Sequence, residues 1–451
     1  MNKRCNISRR GFLQSAAAAA TAVCAAPAII PARALGLDGA EAPSKRIAVG
    51  MIGVGRQVLA YNLPFFLDQP DCEVVALCDC DRWRLDVDDA RTAAYYSKRK
   101  HRVPKMPKCP RCVDFREVLG RPDVDAVMIS TPDHWHVPMS MMAVEAGKDV
   151  CCEKPLTRSI AEGRLLADLT AKHKRVFRTD SEFRSLVQFH RAVELVRNGR
   201  IGKLRKIFTT VPLGNSESPE FVEMPVPEEL DYNLWQGPAP IRPYTENRVH
   251  EIKGYKRPGW MNVRDYCDGM ILNWTTHLND IAQWGHGTDR TGPVSVEGRG
   301  KYPPPGSLWD CCHEFDFTCT FDDGVTLNCK TDPGRPHTRF EGEEGWVQAN
   351  FGGAPLEAEP KSLLDAKIGP DELHFPLKPE KRDFLDAVKT RGPTLEDAEV
   401  GHRTASLGHL GQIAIQLGRK LKWDPDRERF VGDDEANGML ALPPARDWAN
   451  A

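Results

Sequence analysis

Arg46-Ile47-Ala48-Val49-Gly50-Met51-Ile52-Gly53-Val54-Gly55 decides how the rest of the chain is read. Residues 46–52 are a short apolar run of the kind a parallel strand needs when both its faces are covered. Two glycines follow at once, and 57–67 reads as a helix. Glycines at such a turn let the backbone double back and approach a pyrophosphate, which then rests on the helix N-terminus. Arg56 and Gln57, at the start of that helix, become lining candidates. The third position of the G-x-G-x-x-G pattern is Val58, where a small residue would serve close helix–strand packing.

Working outward, a second apolar run, 73–78, ends in Asp79, some twenty-odd residues after the glycines. An acid at that strand tip suits a ribose 2′-hydroxyl and repels a 2′-phosphate, so the spacing points to NAD rather than NADP. Helices are expected at 82–98, 137–146 and 159–172, and strands at 126–131, 149–152 and 176–178. The basic run 98–102 reads as a solvated helix end. Strand–helix alternation of this kind predicts a doubly wound parallel sheet, with ligands outside the strand C-termini. The residues there are Gly53, Gly55, Asp79, Thr131, Pro132, His134 and Glu153-Lys154-Pro155.

The composition fits. The chain has 451 residues, 61 Lys+Arg against 63 Asp+Glu, and a formal net charge of -2. That size allows two or three domains, and the balance provides no long-range field for nucleic acid or an anionic membrane. No apolar run reaches the ~20 residues of a spanning helix. At the N-terminus, Ser8-Arg9-Arg10-Gly11-Phe12-Leu13 resembles a twin-arginine export motif; an alanine-rich stretch and Ala32-Arg33-Ala34 follow. Residues 1–34 are therefore expected to be a signal peptide that addresses the folded protein to the twin-arginine machinery and the periplasm. Of the 14 cysteines, Cys109 and Cys112 have metal-knuckle spacing. No second pair of that spacing exists, so a disulfide or buried thiols are expected and no metal.

Several motifs beyond the first strand together resemble the Gfo/Idh/MocA oxidoreductases, the glucose–fructose oxidoreductase and inositol dehydrogenase group. They are Thr131-Pro132-Asp133-His134-Trp135-His136, Gly147-Lys148-Asp149, Glu153-Lys154-Pro155, Asn198-Gly199-Arg200-Ile201-Gly202, Gly237-Pro238-Ala239-Pro240, Trp274-Thr275-Thr276-His277-Leu278-Asn279-Asp280, Gly401-His402-Arg403 and Lys422-Trp423-Asp424-Pro425. The match is to the exported bacterial branch. The resemblance implies an α/β protein: an N-terminal Rossmann dinucleotide-binding domain (45–180), then a C-terminal α/β domain (181–451) with an open, mostly antiparallel sheet that carries homodimer or homotetramer contacts. Strands at 204–210, 294–302 and 313–321 agree, the last alternating Phe315, Phe317, Cys319 and Phe321 with polar residues.

The resemblance further implies a tightly bound NAD and a sugar or cyclitol substrate oxidised at a secondary hydroxyl. Lys154 would touch nicotinamide ribose and substrate, and His277 would move the hydroxyl proton. Thr131, Pro132, His134 and Glu153 would line the cofactor. His136, Arg184, Trp235, Arg264, Asn273 and Asp280 are candidate substrate contacts. The bland readings stand beside these: Arg184 and Arg264 as ion pairs, Trp235, Trp260 and Trp274 as packing. The family usually has an aspartate four residues before the histidine, where this chain has Asn273; Asp268 and Asp280 are the nearby carboxylates that could stand in. The family also contains glycosidases that oxidise the sugar transiently and re-reduce it, and a sugar-binding relative with weakened turnover is a third reading.

Overall fold

The computed structural model describes residues 45–87, 90, 91 and 110–446. The expected signal peptide, Cys109, the basic run 98–102 and most of the helix expected at 82–98 lie outside these; residues 82–87 are helical.

Six parallel strands form the first sheet: β1 (Ile47–Ile52), β2 (Cys72–Cys78), β3 (Arg111–Cys112), β4 (Ala126–Ile129), β5 (Asp149–Glu153) and β6 (Phe177–Asp180). Their order is β3-β2-β1-β4-β5-β6, which reverses direction beside β1 and opens a crevice there. Every residue of β4, β5 and β6 is buried, as expected of strands covered by helices on both faces. The short edge strand β3 has no apolar run to announce it. After the glycine turn, Val58–Asn62 forms a π-helical turn that runs into α1 (Leu63–Asp68). Val58, at the pattern's third position, is 1% exposed in the core under β1. The helix thus begins on a wider turn where a small residue would allow close approach. Two further helices, α2 (His136–Glu145) and α3 (Ile160–His173), follow β4 and β5. Ser159 and Glu162 close a reciprocal capping box at the start of α3.

The second sheet has nine strands in the order β13-β12-β11-β7-β10-β9-β8-β14-β15. It runs from β7 (Leu204–Val211) through β8 (Ser295–Lys301), β9 (Glu314–Thr320), β10 (Thr326–Thr331), β11 (His337–Gly342), β12 (Trp346–Asn350), β13 (Glu357–Glu359) and β14 (Leu421–Asp424) to β15 (Arg429–Phe430). All its pairings are antiparallel except β7 with β10. Along β9 burial alternates residue by residue: the apolar face packs on α4 (Val187–Arg197), α5 (Thr275–His286) and α7 (Ala398–Leu417), and the other is polar. Between α5 and α7 in sequence, α6 (Glu380–Thr390) turns back to pack on the first sheet.

A long connection, residues 212–269, leaves β7 and crosses to the first sheet before α5. It carries a small core of its own, centred on Leu230, Tyr232, Trp235, Tyr244, Val249, Val263 and Tyr266. It docks just past the end of β2: Leu230 pairs with Asp81 as an antiparallel bridge, and Arg82 N–H donates to Glu229 O at 2.9 Å.

Candidate active site

The strand ends of the first sheet, the crossing connection and the start of α5 enclose a cleft of about 400 Å3, within the range of small-molecule sites. Its floor begins at Gly53, whose φ of +81° and whose approach to the Ser130 carbonyl (a Cβ would lie 2.8 Å from it) exclude any side chain. Gly55 differs: among the described residues nothing lies within 4 Å of where its Cβ would be, which leaves space above that turn for a ligand.

Asp79 is fixed by two backbone donors, Val54 N–H at 2.8 Å and Asp81 N–H at 2.9 Å. Burial pushes its carboxyl pKa upward, helped by the neighbouring Asp81 charge. Past β4, Thr131 Oγ1 and Asp133 Oδ2 line the cleft, buried and without partners. Burial raises Asp133 to about 8, against the opposing pull of Arg158 and Lys154. Past β5, Asn62 Nδ2 holds Glu153 at 2.9 Å and Ser130 Oγ at 3.0 Å, tying two strand ends together. An open turn, an acid at the second strand and orphaned polar atoms at the fourth suit a dinucleotide cofactor, which satisfies such atoms from its pyrophosphate and riboses.

At the far end of the cleft, Lys154 Nζ donates to Asn273 O at 3.0 Å and approaches Asn273 Oδ1 at 3.4 Å. Asn273 sits one helical turn before His277, so the ammonium and imidazole share one corner. The His277 ring stacks on Phe183 (4.4 Å between centroids, 15°). Its Nδ1 lies 3.1 Å from Ser181 Oγ and 3.5 Å from Glu182 Oε2. Burial, then the Lys154 charge, holds its pKa well below the usual histidine value, so the ring is neutral.

Gly53, Gly55, Arg56, Gln57, Asp79, Thr131, Pro132, His136, Glu153, Lys154, Trp235, Asn273 and His277 all face this cleft. Four of the expected residues do not. His134 is buried behind it, with Nε2 3.0 Å from Trp235 O and its ring 5.1 Å from Tyr266; burial lowers its pKa to about 3. Its surroundings make it an anchor for the crossing connection. Arg184 and Asp280 pair with each other at 2.6 Å, 2% and 0% exposed. Arg264 faces away, its Nε buried and its backbone N–H donating to Asp310. His136 lies between two strand ends, Nδ1 2.7 Å from Pro155 O and Nε2 2.9 Å from Thr131 O; burial lowers its pKa to about 4 against the upward pull of these two carbonyl acceptors, of which a neutral ring can serve only one. Asp268 pairs with Arg158 at 3.0 Å and does not touch His277; nor does Asp280. The carboxylate beside His277 is Glu182, which the sequence reading did not single out. Among the described residues no three His, Cys, Asp or Glu side chains converge as metal ligands, and Cys112 is a buried free thiol.

A doubly wound sheet with a glycine turn and strand-tip acid, joined to a nine-stranded α/β layer that supplies a histidine, defines a two-domain dinucleotide oxidoreductase architecture. The chain belongs to the Gfo/Idh/MocA oxidoreductase family. Residues 47–181 match the family's NAD-binding Rossmann fold, and residues 214–450 its C-terminal alpha/beta domain. An uncharacterised oxidoreductase of Rhizobium meliloti is 31% identical over 170 residues, 37% of this chain and 47% of that protein. An α-N-acetylgalactosaminidase of Shewanella oneidensis is 31% identical over 168 residues, 35% of each chain. The aligned parts thus span a third to a half of these relatives. The aldose–aldose oxidoreductase of Caulobacter crescentus superposes with a TM-score of 0.61 at 19% identity, covering 84% of this chain and 99% of that one. A levoglucosan dehydrogenase, solved with NADH and levoglucosan, gives 0.58 at 17% identity, covering 84% and 99%. Both are likenesses of fold.

Proposed function

We propose that this chain is an NAD-dependent oxidoreductase that acts on a secondary hydroxyl of a sugar or cyclitol. The observation that carries the reading is the convergence of Lys154 and His277 at the end of the cleft that begins at Gly53, Gly55 and Asp79. NAD, when bound, supplies the hydride acceptor. Gly55 would leave room for its pyrophosphate, Asp79 would accept from a ribose hydroxyl, and Thr131 and Asp133 would satisfy their orphaned atoms on it. The Lys154 ammonium stabilises negative charge developing on the substrate oxygen. His277, neutral at pH 7, takes the hydroxyl proton, a task that needs an unprotonated imidazole. Trp235, His250, Pro258 and Trp260 of the crossing connection form one wall of the cleft, which supports a cofactor retained between turnovers. Export through the twin-arginine route belongs to the same proposal, since a folded protein can carry its cofactor out of the cytoplasm.

A second reading, a redox-assisted glycosidase with no net NADH formation, is favoured by the α-N-acetylgalactosaminidase relative and by other matched proteins that bear glycosyl hydrolase names. One assay separates the two. Over a panel of sugars, cyclitols and aryl glycosides, a dehydrogenase changes absorbance at the NADH band stoichiometrically. A redox-assisted glycosidase releases aglycone with no net change. Neither signal across the panel, with NAD bound, would leave only a sugar-binding relative.

A further inference from the structure

Neutral His277 has a single N–H, and which nitrogen carries it decides what the ring can do. A base needs its free lone pair directed at the substrate, so the proton must sit on the far nitrogen. That nitrogen is Nδ1, turned to Ser181 and Glu182 at the end of β6. Phe183 fixes the ring plane from one face and is itself backed by Phe351, stacked at 5.3 Å and 5°. Ser181, 0% exposed, does not settle the question, because a hydroxyl either donates to a bare Nδ1 or accepts from Nδ1–H. An ionised carboxylate only accepts. The other candidate carboxylates are engaged elsewhere, Asp268 by Arg158 and Asp280 by Arg184. Asn273 is neutral and holds Lys154 through its backbone and side-chain oxygens.

We propose that Glu182 is the positioning residue of this site: its carboxylate holds His277 in the Nδ1–H tautomer and leaves Nε2 as the free base. Glu182 does so from the segment after β6, a different element from the helix that carries His277. Ser181 Oγ at 3.1 Å is the nearer partner of Nδ1, and Glu182 Oε2 at 3.5 Å acts on the Nδ1–H through its charge. The charged groups around the pair are Lys154 on the His277 side and Lys154, Glu380 and Asp180 around Glu182. Lys154 favours the ionised carboxylate, while the partial burial of a side chain still 41% exposed and the two acids oppose it. Activity therefore needs Glu182 deprotonated, which places an acid limb on the pH profile. The purpose assigned to the tautomer rests on the hydride-transfer reading; the tautomer itself does not.

The test is two-bond 1H–15N correlation on the full chain labelled at histidine, with the His277 signals assigned by their loss in His277→Gln. Wild type should show neutral His277 as Nδ1–H near pH 7.5. Glu182→Leu should move it toward Nε2–H, with Ser181 then donating, at an unchanged melting temperature. Glu182→Asp, which keeps the acceptor, should restore the Nδ1–H form in part. Wild type found as Nε2–H, or a tautomer unmoved by Glu182→Leu, overturns the proposal. On a turned-over substrate, Glu182→Leu should lower kcat by about tenfold to a hundredfold and KM little, and should remove the acid limb; an unchanged pH profile also counts against it. Because the tautomer is read without substrate, this outcome is independent of whether the oxidoreductase reading survives.

Discussion

Replacing Arg184 with methionine separates a structural arginine from a substrate contact. The guanidinium is 2% exposed and donates to Asp280 at 2.6, 2.8 and 3.0 Å. It also donates to Leu395 O at 2.8 Å and lies 4.9 Å over the Trp284 ring. Arg184→Met leaves the carboxylate of Asp280, 0% exposed, with Thr404 Oγ1 at 3.4 Å as its one remaining partner among the described residues. Breaking a buried pair from one side costs about 3–5 kcal/mol, because the remaining charge is neither solvated nor paired. For a folded body of about 400 residues the unfolding entropy is roughly 0.8 kcal/mol/K, so the melting temperature should fall by about 4–6 °C. Scanning calorimetry measures the shift, and initial rates well below it measure KM, which should stay within about twofold. The double variant Arg184→Met/Asp280→Leu removes both charges and should regain most of the loss. A melting temperature within 1 °C of wild type together with a large rise in KM would falsify this reasoning and restore Arg184 as a substrate contact.

Two further predictions follow from the same geometry. His134 is held neutral by burial, at about 3, and the one N–H of the neutral ring is enough for its one carbonyl partner, Trp235 O. Below pH 6.5 the unfolded chain binds protons that the folded chain refuses, so this stability is complete above pH 6.5 and declines as pH falls. His134 accounts for about 3 kcal/mol by pH 4 at 1.36 kcal/mol per unit; urea titrations at stepped pH should show a shallower acid slope for His134→Gln, and equal slopes would contradict it. Gly53→Ala and Gly55→Ala should behave differently. The first strains the φ of +81° and meets the Ser130 carbonyl, so stability and NAD binding both suffer. The second fills only open space, so the melting temperature should hold while NAD binding, followed by calorimetric titration, weakens at least tenfold; unimpaired binding would remove the pyrophosphate from that turn.

Much of the fold is legible from local pattern because buried parallel strands announce themselves as apolar runs. β1, β2, β4 and β5 fall within two residues of their expected limits, whereas β3, two residues long, has no run to read. The cleft is legible where its residues are set by position on a strand end: Gly53, Gly55, Asp79, Thr131 and Lys154 follow from the βα alternation. It is not legible where side chains meet across distant elements. Arg184 and Asp280 have the composition of a substrate site and the geometry of a buried pair, and only the packing of α5 against the segment after β6 distinguishes the two. Glu182 carried no periodic or motif signal; it meets His277 because β6 ends under the first turn of α5. His134 follows a strand end as a cofactor residue would, but the connection 212–269 covers it, and no sequence pattern placed that connection there.

Denaturing the purified protein and assaying the released supernatant for NAD(H) and NADP(H) tests whether the cleft holds NAD. NAD should appear at close to one per chain, with little NADP, as the role proposed for Asp79 at the ribose 2′-hydroxyl requires. A supernatant with no nucleotide, from a protein that then fails to bind added NAD, would contradict this reading of the cleft.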